Sequence, residues 1–273
     1  MYSVHPRALF TGIARIGTAI AVLLQAGCGM RIATSAERKA SIAPYTHTMI
    51  RGEPIERFFV NRTALLMSGF VFPLKASPDD PTRYSILGGA PRYSTATAID
   101  SRGYFLTTAH SVKDSAPNLV YHQDGHLQVV RSRIVWRGDT SRKEPDVAIL
   151  HVPRRIDLVY EWATLPATSP VAFSAGLHSE NAGVYRLSSA AGKVTHVSRA
   201  TRRVPPTNTI YHEAPLQRGN SGGPLVTSDG RLLGINTQIQ LSILQIRPLG
   251  LAQRPDPDWI RRIIDADAHK NDY

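Results

Sequence analysis

Between residues 64 and 251 the chain is a succession of short apolar or alternating runs, each closed by turn residues, and this rhythm leaves little room for long helices. Residues 64–74, 95–99, 104–107, 118–122, 127–136, 147–152, 184–188, 193–198, 225–227, 232–238 and 243–251 read as strands. Asp100-Ser101-Arg102-Gly103, Gln123-Asp124-Gly125 and Ser228-Asp229-Gly230 supply hairpin turns between neighbouring runs. Twenty glycines and nineteen prolines fit a turn-rich chain. Residues 147–152 are almost continuously apolar, the pattern of a strand buried on both faces. Only the end of the chain reads as a helix. There Asp256-Pro257-Asp258 offers a cap and a helix-start proline, and Trp259, Ile260, Ile263 and Ile264 recur at helical spacing. Many short strands with regular turns predict an all-β barrel or sandwich closed by one C-terminal helix.

At 273 residues the chain can bury one sizeable core. Its formal net charge is +11. No run of five Lys or Arg and no aromatic-interleaved basic motif accompanies that charge, so it reads as a solvated basic surface and no nucleic-acid partner is expected. Cys28 is the sole cysteine, which excludes an intrachain disulfide and leaves the core alone to hold the fold. His122 and His126 flank a hairpin turn with no third ligand near them, so no metal is expected, and no cofactor motif appears.

Residues 1–27 read as a signal peptide of lipoprotein type. Arg7 and Arg15 give a positive start, and residues 16–24 form an apolar stretch too short to span a bilayer. Leu23-Leu24-Gln25-Ala26-Gly27-Cys28 resembles a bacterial lipobox, with Gln25 where the pattern prefers Leu. Cys28 is then the candidate lipid attachment point, and two or more acyl chains would anchor the protein stably. Gly29 gives no inner-membrane retention signal, which favours the periplasmic side of an outer membrane. Without lipid, the protein would be secreted or free in the periplasm. Residues 28–62 read as a tether leading into the fold, residues 63–268 as the folded domain, and residues 269–273 as a tail.

Three segments carry chemistry. Gly219-Asn220-Ser221-Gly222-Gly223 sets a serine among glycines. A serine hydroxyl is a weak nucleophile until a base takes its proton. Thr107-Thr108-Ala109-His110 places a histidine at a strand end, where it can face a cleft, unlike His122, His126 or His178. Asp146 stands at the entrance of the buried run 147–150, where a carboxylate is costly unless hydrogen-bonded; accepting the histidine N–H is one compensation. Asp139, in the plain loop Gly138-Asp139-Thr140-Ser141, is the weaker competitor. The expected catalytic set is therefore His110, Asp146 and Ser221. The N–H groups of Gly219 and Ser221 would form the oxyanion hole.

These stretches together resemble the trypsin-like serine proteases, and within them the bacterial HtrA/Deg-type branch. Residues 97–110 look like that family's hairpin into the histidine, 146–150 like its aspartate strand, and 192–195 like its substrate-side strand. Residues 219–225 and 230–237 look like its nucleophile loop and following hairpin. The resemblance implies two six-stranded antiparallel β-barrels with the site between them. It also implies a serine endopeptidase that acts on polypeptides, which the leader would make an exported one; the expected lack of room for a C-terminal PDZ domain departs from the larger relatives. Asn220 replaces the aspartate that, in animal relatives, pairs with a newly cut N-terminus, so the site should form without that switch. Pro215, six residues before Ser221, argues against a Lys/Arg preference, and Glu213 does not fit the role of an acid there. Asn236-Thr237-Gln238 lacks the histidine of glutamate-specific relatives, so a small or medium apolar P1 residue is expected.

Two other readings are open at this stage. Gly219-x-Ser221-x-Gly223 matches an α/β-hydrolase elbow, but that fold orders its triad Ser, acid, His, and only His269 follows Ser221. A catalytically silent, lipid-anchored binding protein on the same fold is the second.

Overall fold

The computed structural model describes residues 48–68, 74–86, 92–113, 115–181, 183–202, 204–240 and 248–271. All of them belong to one compact unit, Lys39–Tyr273. Cys28 and the signal peptide over 1–27 lie outside the described residues.

The elements run β1 (Met49–Ile50), β2 (Glu53–Pro54), α1 (Ile55–Val60), β3 (Thr63–Ser68), β4 (Leu74–Ala76), β5 (Arg83–Ile86), β6 (Arg92–Asp100), β7 (Tyr104–Thr107) and β8 (Asn118–Gln123). Then follow β9 (His126–Arg131), β10 (Arg133–Arg137), β11 (Ala148–His151), β12 (Val171–Asn181), β13 (Val184–Val197) and β14 (Thr207–His212). The chain ends with β15 (Pro224–Thr227), β16 (Leu232–Gln240), β17 (Leu249–Pro255) and α2 (Pro257–Asn271).

Apart from the small β1–β2 sheet, the strands form two antiparallel sheets, one curled and one closed, consistent with the all-β, trypsin-like double-barrel arrangement that the resemblance implies. The first has the order β10-β11-β7-β6-β3-β8-β9. Its two edge strands are consecutive in the chain and separated only by Ser132, so the sheet curls until its edges meet there. The Ser132 N–H and hydroxyl both donate to the Pro117 carbonyl, at 2.9 and 2.7 Å, and pin that corner. The second sheet runs β12-β15-β16-β17-β14-β13, and an added β12–β13 pairing closes it into a six-stranded barrel. β5 and β4 extend it from the β13 edge.

The buried strand expected over 147–152 is β11, in which Ala148, Ile149 and Leu150 are fully buried. It pairs β10 on one side and β7 on the other. One core gathers Leu65, Leu106, Val120 and Ile149 of the first sheet with Phe173, Leu187, Val226 and Ile235 of the second. A second cluster, around Leu66, Phe105 and Leu150, lies within the first sheet.

The expectation that only the chain end is helical is corrected. The lead-in also contains the β1–β2 hairpin and the short helix α1, because Ile50, Ile55, Phe58, Phe59 and Val60 are all buried. Helix α2 has the cap that its sequence announces: the Asp256 carboxylate accepts from the N–H groups of Asp258 at 2.7 Å and Trp259 at 3.0 Å. Trp259, Ile260 and Ile264 are buried, and Trp259 meets Trp136 of β10 edge to face at 4.9 Å. Asp267 pairs with Arg133 of β10 and accepts from the Tyr104 hydroxyl. The helix that follows the second barrel thus packs back on the first. It also runs on to Asn271, so most of the expected tail 269–273 is helical.

Candidate active site

His110 sits just past β7, in the one-turn 3-10 helix Ala109–Ser111. Asp146 lies in the loop that enters β11, the strand paired with β7. One end of the first sheet therefore carries both side chains. The Asp146 carboxylate accepts twice from His110: the backbone N–H at 2.9 Å and ring Nδ1 at 2.6 Å. A carboxylate only accepts, so Nδ1 carries a proton, and in the neutral ring that leaves Nε2 as the acceptor. The Ser221 hydroxyl stands 3.2 Å from that Nε2 and 3.4 Å from the Thr237 carbonyl. The imidazole side chain is 46% exposed while the Asp146 side chain is 21% exposed, so the ring faces solvent over a more sheltered acid.

Ser221 lies between β14 and β15 of the second sheet. The turn before it closes with the Asn220 N–H on the Gln217 carbonyl at 3.0 Å. Gly219 has φ +97°, and Arg218 does not share a positive φ. Those two facts define a type II turn, in which the central amide points opposite to its direction in a type I turn. A side chain at Gly219 would also meet the Leu177 carbonyl at 2.4 Å. Asn220 is buried and holds the turn from below. Its Oδ1 accepts the Gln217 N–H at 2.8 Å, and its Nδ2 donates to the Leu177 carbonyl at 3.1 Å. After the serine, the Gly222 N–H donates to the Asn236 carbonyl at 2.7 Å and the Asn236 N–H to the Gly223 carbonyl at 2.8 Å. Among the described residues, the N–H groups of Gly219 and Ser221 donate to no backbone carbonyl.

The structure thus brings His110, Asp146, Gly219 and Ser221 together. It places the competitors elsewhere. Asp139 caps the 3-10 helix Thr140–Arg142 by accepting from the Ser141 N–H at 3.0 Å. His122 packs beside Tyr84 at 5.7 Å, and burial pulls its pKa below the ordinary value. The His178 ring nitrogen Nδ1 meets the Ser188 hydroxyl at 3.2 Å. Among the described residues there is no group of three or more His, Cys, Asp or Glu able to hold a metal. Among them also, no helix is long and apolar enough to cross a membrane. Glu213 and Pro215 are exposed, ahead of the turn.

Sequence reasoning passed over Thr237, whose carbonyl faces the serine, and the hydroxyl-rich strand Ser94-Thr95-Ala96-Thr97. Its only local signal is three hydroxyl residues in four, a composition common in exposed strands. Here Ser94 is nearly and Thr95 and Thr97 fully buried, and all three reach across to the loop that carries Ser221.

Residues 94–235, just over half of the chain, match the trypsin-like peptidase domain family. No curated protein matches the sequence. Among solved structures, the serine endoprotease from Yersinia pestis superposes with a TM-score of 0.50 at 21% identity, over 77% of this chain and 64% of that one. The HtrA-type protease AlgW, solved with a decapeptide, superposes with a TM-score of 0.55 at 20% identity, over 78% of this chain and 66% of that one. The chain therefore spans just under two thirds of the length of either, and at these identities the likeness is one of fold.

Proposed function

The chain belongs to the trypsin-like peptidase family, and from that premise we propose that it is a serine endopeptidase hydrolysing polypeptides through an acyl-enzyme. One observation carries the reading: an unbroken hydrogen-bonded line from Asp146 through His110 to Ser221, with Nε2 facing the hydroxyl. In the proposed cycle Ser221 Oγ attacks the scissile carbonyl while His110 Nε2 takes its proton. Asp146 holds the ring in that tautomer and stabilises the imidazolium. The oxyanion develops toward the N–H groups of Gly219 and Ser221. His110 then protonates the leaving amine, and a water, deprotonated by the same nitrogen, hydrolyses the ester. The type II turn at Gly219 supports this reading because it orients the amide without an activation cleavage.

A fluorophosphonate probe should label wild type at Ser221 and leave the Ser221→Ala variant unlabelled. That variant should lose on the order of 10⁶-fold in kcat. A folded wild type that neither labels nor cleaves an unfolded casein would instead be the silent binding protein. Export and lipidation at Cys28 belong to the same proposal and rest on residues 1–28 alone. Radiolabelled palmitate should appear on the full-length chain in a bacterial host and vanish with Cys28→Ser, and labelling of both or neither would refute the anchor.

A further inference from the structure

The base and the nucleophile lie on different sheets, so something must hold one sheet in register with the other to a fraction of an ångström. β6 of the first sheet does this with side-chain hydroxyls. Ser94 Oγ donates to the Ser221 carbonyl at 2.5 Å, and the Thr95 N–H donates to the same oxygen at 3.0 Å. Thr95 Oγ1 donates to the Gly219 carbonyl at 2.7 Å, and Thr97 Oγ1 to the Gly222 carbonyl at 2.8 Å. One strand thus grips three carbonyls of the nucleophile loop, 124 to 127 residues away in sequence.

Counting protons gives this grip a direction. A carbonyl only accepts, so the single Ser94 proton is committed to Ser221. Ser94 Oγ lies 2.7 Å from Ser111 Oγ, so Ser111 must donate to it. Ser111 Oγ lies 2.6 Å from Thr108 Oγ1, so Thr108 must donate in turn. The result is one polarised line, Thr108 to Ser111 to Ser94 to the Ser221 carbonyl, in which each bond strengthens the next. Thr108 and Ser111 flank His110. The turn that carries the base is therefore tied to the backbone of the nucleophile through three hydroxyls. Thr95 makes a parallel tie: its proton goes to Gly219, and its lone pair accepts the Leu177 N–H at 2.9 Å. Leu177 is the residue whose carbonyl holds Asn220.

We propose that Ser94, Thr95 and Ser111 are positioning residues for the hydrolysis, setting the distance from His110 to Ser221 and the orientation of the Gly219 amide. This rests on the peptidase reading above. None of the three hydroxyls bonds to the Ser221 hydroxyl or the His110 ring. Their effect should fall on the chemical step, because a small displacement of reacting groups costs rate more than binding.

The test uses the full chain, with rates normalised to sites titrated by the fluorophosphonate probe. Thr95→Val keeps shape and removes the hydroxyl. It should lower kcat on the order of 10²-fold with KM within about twofold of wild type. Thr95→Ser should restore most of that loss. Ser94→Ala and Ser111→Ala break the same line at different links, so the double variant should be scarcely slower than either single one. The two alanine variants decide the matter even if Thr95→Val does not fold. Wild-type kcat per titrated site in Ser94→Ala and Ser111→Ala would overturn the proposal, as would strictly multiplicative losses in the double variant. A wild type that does not label at all would overturn the peptidase reading itself.

Discussion

His212 makes the most quantitative test of the second barrel. It ends β14, leads into the loop that carries Ser221, and has no solvent exposure. Its ring packs against Gly250 of the neighbouring strand, where a single added carbon would lie 2.3 Å from Cε1. Among the described residues neither ring nitrogen finds a hydrogen-bond partner of good geometry. Burial therefore dominates and pushes the pKa down to about 4, against the smaller opposing influence of the Asn236 side chain and the Ala214 backbone. An unfolded histidine titrates at about 6.5. Between those two values the unfolded chain holds a proton that the folded chain refuses. The contribution to stability is thus complete above about pH 6.5 and is lost as pH falls toward 4. At about 1.4 kcal/mol per pH unit, the loss from pH 7.5 to 4.5 is about 2.5 kcal/mol. That is a large share of the roughly 5–15 kcal/mol that holds a domain together. Urea unfolding of wild type and His212→Phe across that range isolates this group. The packing cost of the larger ring is independent of pH, and the other histidines are common to both proteins. The stability difference should shift by about 2.5 kcal/mol in favour of the variant as pH drops. Parallel curves, within about 0.5 kcal/mol, would show that His212 is solvated or already charged in the folded state, and the burial argument would fail.

Asp146→Asn should lower kcat on the order of 10⁴-fold, because the His110 backbone and Nδ1 bond to different carboxylate oxygens and an amide sets an NH2 donor against one of them; steady-state kinetics on an unfolded protein substrate would read it. Gly222→Ala should abolish labelling and cost more than about 3 kcal/mol, since φ is +83° and the added carbon would lie 2.1 Å from the Thr95 carbonyl; calorimetry checks the stability. Arg254 is buried and donates to the carbonyls of Leu232, Leu233 and Ala163. Arg254→Met, which leaves some of those carbonyls unsatisfied, should destabilise by about 2 kcal/mol in urea. Burial of Asp267 opposes its ionisation, but hydrogen bonds from Arg133 and Tyr104 outweigh it and hold the carboxyl below its usual pKa. Its contribution is therefore present above about pH 4 and lost as pH falls further, and Asp267→Asn should flatten the acid limb of the stability curve there.

Much of the architecture is written locally. β7, β11 and α2 follow from a strand pattern, a buried apolar run and a capped helical period, each satisfied within a few neighbouring residues. Ser221 among its glycines, His110 after an apolar strand and Asp146 before one also carry local signatures, because each needs a particular backbone around it. β12 and β14 were not legible. Ser174, His178 and Ser179 dilute the apolar pattern of β12, and Asn208 and Thr209 that of β14. These strands form because both neighbours in a closed barrel supply hydrogen bonds. Helix α1 escaped notice for a related reason: six residues are too few to show a period, and the burial of Phe58 and Phe59 sustains it.

What the sequence determined by itself is therefore the kind of fold and the candidate site residues, since both follow from local pattern and local chemistry. What only the tertiary structure decided is how those side chains meet. The Ser94, Thr95 and Thr97 hydroxyls acquire a role through carbonyls more than a hundred residues distant, and His212 acquires its lowered pKa from burial in the barrel. Hydrogen bonding and desolvation act over a few ångströms of space. No periodicity along the chain records which distant atoms will fall within that range.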